Sequence, residues 1–495
     1  RWQAERVRVP WGADQFVLIE GLDSQGMRWA WKPHDDAWVG LDIASVSARK
    51  VTVHTGKPGT QPPQLPASLA LPLQLNVSQA AVGELLVDQL PPVRQLAVQG
   101  LVLDAQPGGE HRVLSAVADW AGVHAQASGR IGTRAPLPLQ LQATLRPSAE
   151  GDGPRWAAVA QAQGSVEKFE LSGTLRGVPL PGREPPAVDL RAGVMPLQPW
   201  PLTALDLSTR ELDLAALSLR APQTRLAGLA RLAPRAKDAP LVAQLQLDNA
   251  LPGRWNERRL PLKRLTAELR GDLRQPDRLE ARGFDVQLAD ARQTAGRITG
   301  NALWLGHDLT LDARLQDVGP QRLDSRAAAM TLSGPVQVKL RGLPSPDTAA
   351  SSTPPPALVS WKLDLDGRLD GAPYPVQLDM EGSATDQQLK VNTLRAQAGN
   401  TTADLKLLLQ HAARGEWQLE SAGSLVNFDP VAWWPGDSGT AWRQGPHRLS
   451  GGWQFDVRLP GNAAALPGVE LLQRLAGTGN LRIQDSVLAG VPLAA

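Results

Sequence analysis

The sequence predicts a mainly β protein: one long, curved antiparallel sheet folded into an open, apolar-lined groove (a β-taco), with very few short helices. Three observations carry that prediction. Apolar and polar residues alternate strictly along much of the 495-residue chain, the period of half-buried antiparallel strands. Pro (42) and Gly (46) are spread between short apolar runs rather than clustered, which is the punctuation of many short strands. Segments with a helical period are scarce.

Taken in order, the first clear run is Leu69, Leu71, Leu73, Leu75 and Val77, interleaved with Pro72, Gln74 and Asn76. Leu137, Leu139, Leu141, Ala143 and Leu145 follow, with Gln140, Gln142 and Thr144 between them. Leu241, Ala243, Leu245 and Leu247 repeat the pattern, as do Leu309, Leu311, Ala313 and Leu315. In "WKLDLDGRLDGAPYPVQLDMEGS" (361–383) the apolar parity is odd through Trp361, Leu363, Leu365 and Leu369. It turns even after Ala372 and Pro373, through Tyr374, Val376, Leu378 and Met380. Trp453, Phe455, Val457 and Leu459 close the series. A looser strand–Gly–strand repeat, as in "FELSGTLRG" (169–177) and "LDLDGRLDG" (363–371), predicts bulges or bends at the glycines. Short helices are expected within 208–218 and 466–477, and a single turn after Asp429 in "NFDPVAWW" (427–434). "LPSPDTAASSTPPPA" (343–357) is expected to be a disordered insertion in a surface hairpin. No firm domain boundary is drawn within 1–495.

A sheet with one apolar face must bury it on something. Sandwich domains of about 100 residues each would bring recurring linkers and a module period, and neither is present. A single sheet of roughly thirty strands curled lengthwise, with its grease inside, satisfies the same pattern. The alternating leucines of 69–77 (with Val77), 137–145 and 241–247, the odd-numbered residues of 361–369, the even-numbered ones of 374–380, and Phe455 and Val457 are the candidate lining of such a groove.

Composition excludes several functions. With 51 basic and 49 acidic residues, charge gives no argument for a nucleic-acid partner. The absence of cysteine removes disulfides, thiolate metal sites and a Cys nucleophile. No run of eighteen apolar residues spans a membrane. The seven histidines show no metal spacing. "DLDG" (364–367) has its glycine too early for a calcium loop. The S-x-x-K matches at Ser47 and Ser165 lack their companion motifs. An enzyme is therefore not expected, and no cofactor or metal. Tryptophan is over-represented: 16 against 5 Phe and 1 Tyr, with Trp29, Trp31 and Trp38 clustered early and Trp433, Trp434, Trp442 and Trp453 late. Packing at irregular sheet ends accounts for them, or else an interfacial belt at the lips of a lipid groove.

Several stretches resemble the TamB family (translocation and assembly module subunit), part of the AsmA-like superfamily of bridge proteins. They include "LPASLALPLQLNVSQAAVGEL" (65–85), "DWAGVHAQASGRIGTRAPLPLQLQATL" (119–145), "PLQPWPLTALDLSTRELDLAALS" (196–218), "NFDPVAWWPG" (427–436) and "LAGTGNLRIQDSVLAGVPL" (475–493). The resemblance lies in the whole grammar and spans most of the chain. It implies a groove that crosses the periplasm from an inner-membrane anchor and serves outer-membrane biogenesis. Its implied partners are phospholipids and an Omp85-type outer-membrane barrel. On this reading the chain is an N-terminal to middle fragment, with the anchor before Arg1 and the barrel-docking region after Ala495. The rival readings are a strand-templating assembly scaffold without lipid flux, an extracellular β-sandwich adhesin or spacer, and a β-rich carbohydrate enzyme.

Overall fold

The computed structural model describes residues 1–10, 15–31, 39–55, 64–88, 90–148, 156–178, 185–198, 200–218, 221–233, 241–272, 275–342, 357–369, 375–411, 416–433, 446–459 and 476–493. Among them the chain is almost wholly strand. Helix is confined to single turns at Leu214–Ala216, Trp255–Glu257, Pro320–Leu323 and Pro430–Trp433. Twenty-seven strands belong to one open sheet, and Ser486–Leu488 with Val491–Leu493 form a separate hairpin. The expected sheet is thus observed, and so is the turn after Asp429, whose carboxylate accepts from the Val431 amide at 2.9 Å.

Among the described residues, paired strands run antiparallel except once. Val39–His54 runs parallel to Gln74–Val87. A parallel neighbour cannot be reached by a tight turn, so the chain must return to the end at which it started. The described part of that return, 64–73, is the region expected to open a strand at Leu69. It does not: Leu69, Leu71 and Leu73 lie in a strap outside the strand, which begins only at Gln74. The Leu69 amide donates to the Thr133 carbonyl (2.7 Å) and the Leu71 amide to the Asp104 carbonyl (3.0 Å). An extended strap has the same two-residue side-chain period as a strand, so alternation alone could not separate them.

Other expectations change or lie outside the described residues. The 208–218 segment continues the strand Leu202–Leu212 and then makes one 3-10 turn, held by Asp213 Oδ1, which accepts from the amides of Ala215 and Thr224 at 3.0 Å each. Of the 466–477 helix, residues 466–475 lie outside the described residues and Ala476 opens the strand Ala476–Ile483. Residues 343–356, most of the expected insertion, also lie outside them. Nor do Gly173 and Gly367 make bulges; register runs straight through both. The shifts fall elsewhere, as between Val113 and Ala116. There the extra residue moves the apolar parity from odd to even and turns Leu114 outward.

The chain forms two compact units. One comprises Arg1–Ala250 with Gly271–Pro276, the other Leu251–Arg270 and most of the chain from Asp277 onward. They are called here the N-terminal and C-terminal units.

Candidate functional site

In the N-terminal unit, the alternating strands align so that apolar residues face one another across consecutive ladders. One row runs Val77, Leu101, Val113, Gly129, Leu141, Ala162, Leu171, Ala192, Leu205, Leu232, Ala243, each directly opposite the next. Beside it runs a second: Ala80, Val98, Ala116, Ala127, Ala143, Ala160, Gly173, Leu190, Leu207, Ala230, Leu245. A third follows through Ala118, Ala125, Leu145, Ala158, Leu175, Val188, Thr209, Gly228 and Leu247. Its one hydroxyl, on Thr209, is buried and donates to the Ala187 carbonyl at 3.0 Å.

The middle row is the low one. From Ala116 to Gly173 it carries nothing larger than a methyl group, while the flanking rows carry Val113, Leu141 and Leu171 on one side and Leu145 and Leu175 on the other. An open cavity of about 610 Å³ lies there, lined among others by Leu101, Val113, Ala116, Ala127, Leu141, Ala143, Ala160 and Leu171. Leu141 projects at its edge, 48% exposed. Cavity and rows together form an apolar lane across six consecutive strands.

The flank of this lane is closed by hydrogen bonds. His111 Nδ1 accepts from the Asp104 amide (2.9 Å), which places the ring proton on Nε2, and Nε2 donates to the Leu69 carbonyl (2.9 Å). The fully buried Thr133 hydroxyl donates to the Gln106 carbonyl (2.6 Å) and accepts from the Gly108 amide (2.9 Å). Beneath the strap, Leu137 is 1% exposed and Leu139 is buried.

The C-terminal unit repeats the rows with different residues. One runs Phe284, Gly300, Ala313, Val336, Leu363, Met380, Leu394, Leu405, Gly423, Trp453, Leu481. The next runs from Ala302 through Leu311, Val338, Trp361, Gly382, Val391, Leu407 and Ser421 to Phe455. Val457 belongs to a third, opposite Leu419. Here large rings lie over glycines. A Cβ on Gly382 would stand 2.6 Å from the Trp361 ring, and one on Gly423 2.4 Å from that of Trp453. Trp453 Nε1 donates to Ser421 Oγ at 3.0 Å.

One flank of these rows is a closed core. Leu365, Leu369 and Val376 pack with Met330, Leu332, Ala396, Ala398 and Trp433, and Leu378 lies against the cluster. Leu369 and Val376 are each 1% exposed, and the Trp433 ring stacks on Phe428 at 6.0 Å between centroids. The short helix after Asp429 therefore covers this part of the apolar face.

The structure thus divides the predicted lining residues. Val77 (itself buried), Leu141, Leu145, Leu245 and Leu247 stand in the rows of the N-terminal unit, and Leu75 lies beside them opposite Leu103; Leu363, Met380, Phe455 and Val457 stand in those of the C-terminal unit. Leu69, Leu71 and Leu73 are in the strap, Leu137, Leu139 and Leu241 are buried, and Leu365, Leu369, Val376 and Leu378 belong to the covered core. Sequence reasoning missed the alanines, because it sought large residues. Their signal was present in the Ala–Gln alternation of "AVAQAQ" (158–163).

Among the described residues no group of His, Asp and Glu could hold a metal ion. No helix among them is long and apolar enough to cross a membrane. Comparison with protein-family models, with curated proteins and with solved structures found no match.

Proposed function

We propose that the protein is a groove scaffold that conducts or shields phospholipid acyl chains, in the manner implied by its resemblance to the TamB family. The observation that carries this reading is the open 610 Å³ cavity over the alanine row. Each methylene withdrawn from water gains about 0.8 kcal/mol, so an apolar lane continuous over several strands offers a tail nearly the same environment at each step along it. Headgroups stay in water because the lane is open. Binding is spread over many interchangeable positions, so no single residue is indispensable. On the same reading the protein works in the periplasm, between an inner-membrane anchor and an Omp85-type barrel, in outer-membrane biogenesis.

The test is lipid extraction and mass spectrometry on the purified chain, beside a variant carrying Leu141→Asp and Leu171→Asp and a control carrying Thr144→Asp. Bound phospholipid in the parent and the control, with a loss of severalfold or more in the lane variant, is the expected outcome. A lipid-free parent overturns the reading.

A second reading, strand addition to a client protein, is favoured by one observation. Ala476–Ile483 is exposed along nearly its whole length and pairs, among the described residues, only with Leu449–Leu459, which leaves one row of backbone groups for an added strand.

A further inference from the structure

At the start of the N-terminal unit the sheet ends in two segments that each have a strand on one side only among the described residues. Trp2–Pro10 pairs with Phe16–Gln25, and Arg28–Trp31 pairs with the beginning of Val39–His54. Three tryptophans stand there, exposed at 50% (Trp2), 69% (Trp29) and 71% (Trp31). Register places Trp2 and Trp29 on the face that carries the lane. Trp2 lies opposite Ser24, which leads through Val46, Ala80 and Val98 to Ala116, the first alanine of the low row. Trp29 lies opposite Leu41, which leads through Leu75 to Leu103 at the cavity. Trp31, two residues on from Trp29, shares its face opposite the exposed Val39.

Such exposure is costly for so much apolar area and marks a contact surface. The residue type indicates which. An indole is apolar over its rings and polar at its N–H, and settles at the boundary between headgroups and tails. Arg6, Arg8 and Arg28 stand on these two segments with Glu5; register sets Glu20 opposite Arg6 and Asp42 opposite Arg28, Arg1 is paired to Asp23 at 2.7 Å, and Arg8 lies over the Phe16 ring at 4.3 Å.

We infer that this edge is a membrane-contacting lip, which seats Trp2, Trp29 and Trp31 in the interfacial layer of a phospholipid bilayer. Membrane contact stands on the exposed indoles; only its use, to pass tails between bilayer and lane, rests on the function proposed above.

The experiment is flotation of the full chain with vesicles of phosphatidylcholine mixed with phosphatidylglycerol, together with quenching of tryptophan fluorescence by brominated lipid. The parent floats with the mixed vesicles and is quenched. Trp2→Ala/Trp29→Ala/Trp31→Ala lowers binding roughly tenfold or more and loses the quenching while keeping its far-ultraviolet dichroism. Leu141→Asp/Leu171→Asp still floats, so a failure of the lane reading is distinguishable from a failure of the lip. A parent that stays with the unfloated protein, or a triple tryptophan variant that floats and is quenched as the parent is, overturns the inference.

Discussion

The two units use the same period and the same row-on-row register, yet they offer different surfaces. In the N-terminal unit the row through Ala116, Ala127, Ala143 and Ala160 lies low between taller neighbours, and a cavity remains above it. In the C-terminal unit the corresponding space is taken up twice over. Trp361 and Trp453 lie across the glycines opposite them, and Trp433 caps a core around Leu369 and Val376. Alternation decides which face is apolar. The size of the residue directly across the ladder, and whether a connection folds back over the sheet, decides whether that face is open.

The largest expected effect lies in the covered core. Leu369→Ala removes a side chain with no route to water and should cost about 2–5 kcal/mol, while Leu141→Ala, at the edge of the open lane, should cost under about 1 kcal/mol. Urea unfolding followed by circular dichroism compares them; equal losses would mean that Leu141 is as enclosed as Leu369. Next comes the glycine beneath a ring. Gly382→Ala sets a methyl 2.6 Å from both the Trp361 ring and the Lys390 carbonyl oxygen, and should cost about 1–3 kcal/mol through displacement of the indole. The change in Trp361 fluorescence reports it. Ala160→Gly, on the floor of the open lane, should leave the neighbouring rings undisturbed.

The strap is a polar counterpart of the Trp433 cap. His111→Phe strands the Leu69 carbonyl and the Asp104 amide, at a cost of about 1–3 kcal/mol. Hydrogen exchange should quicken at the Leu69 and Leu71 amides and stay unchanged in the C-terminal unit. Exchange at Leu69 that matches the parent would show that the Thr133 contact holds the strap alone.

The smallest effect is electrostatic. The Arg326 guanidinium hydrogen-bonds both oxygens of Asp324, at 2.9 and 2.6 Å, and lowers that carboxylate to about 2. A carboxylate lowered on folding contributes stability above its ordinary pKa of about 3.9 and loses it as pH falls toward the folded value. Asp324 should therefore titrate near 2 by NMR, and Arg326→Gln should return it toward about 3.9, with little change in stability because the pair is at the surface.

Much of the fold was legible because a two-residue period has one physical meaning in an extended chain: successive side chains point to opposite faces. Strand content, the scarcity of helix and the one-turn helix after Asp429 followed from the sequence. So did the membership of Leu141, Leu145, Leu363 and Met380 in apolar rows. What the period could not supply was pairing. Leu69 and Leu141 carry the same local signal, yet one lies in a strap and the other at a cavity, because a parallel neighbour forced the chain back past Thr133. Leu363 and Leu365 are two residues apart on one strand, yet only Leu365 is fully buried in the core beneath Trp433, which comes from a connection far along the chain. The low alanine row exists only once separate strands are set side by side. Local sequence determines which way each side chain faces; what it faces depends on contacts between residues distant in sequence, and those only the tertiary structure decides.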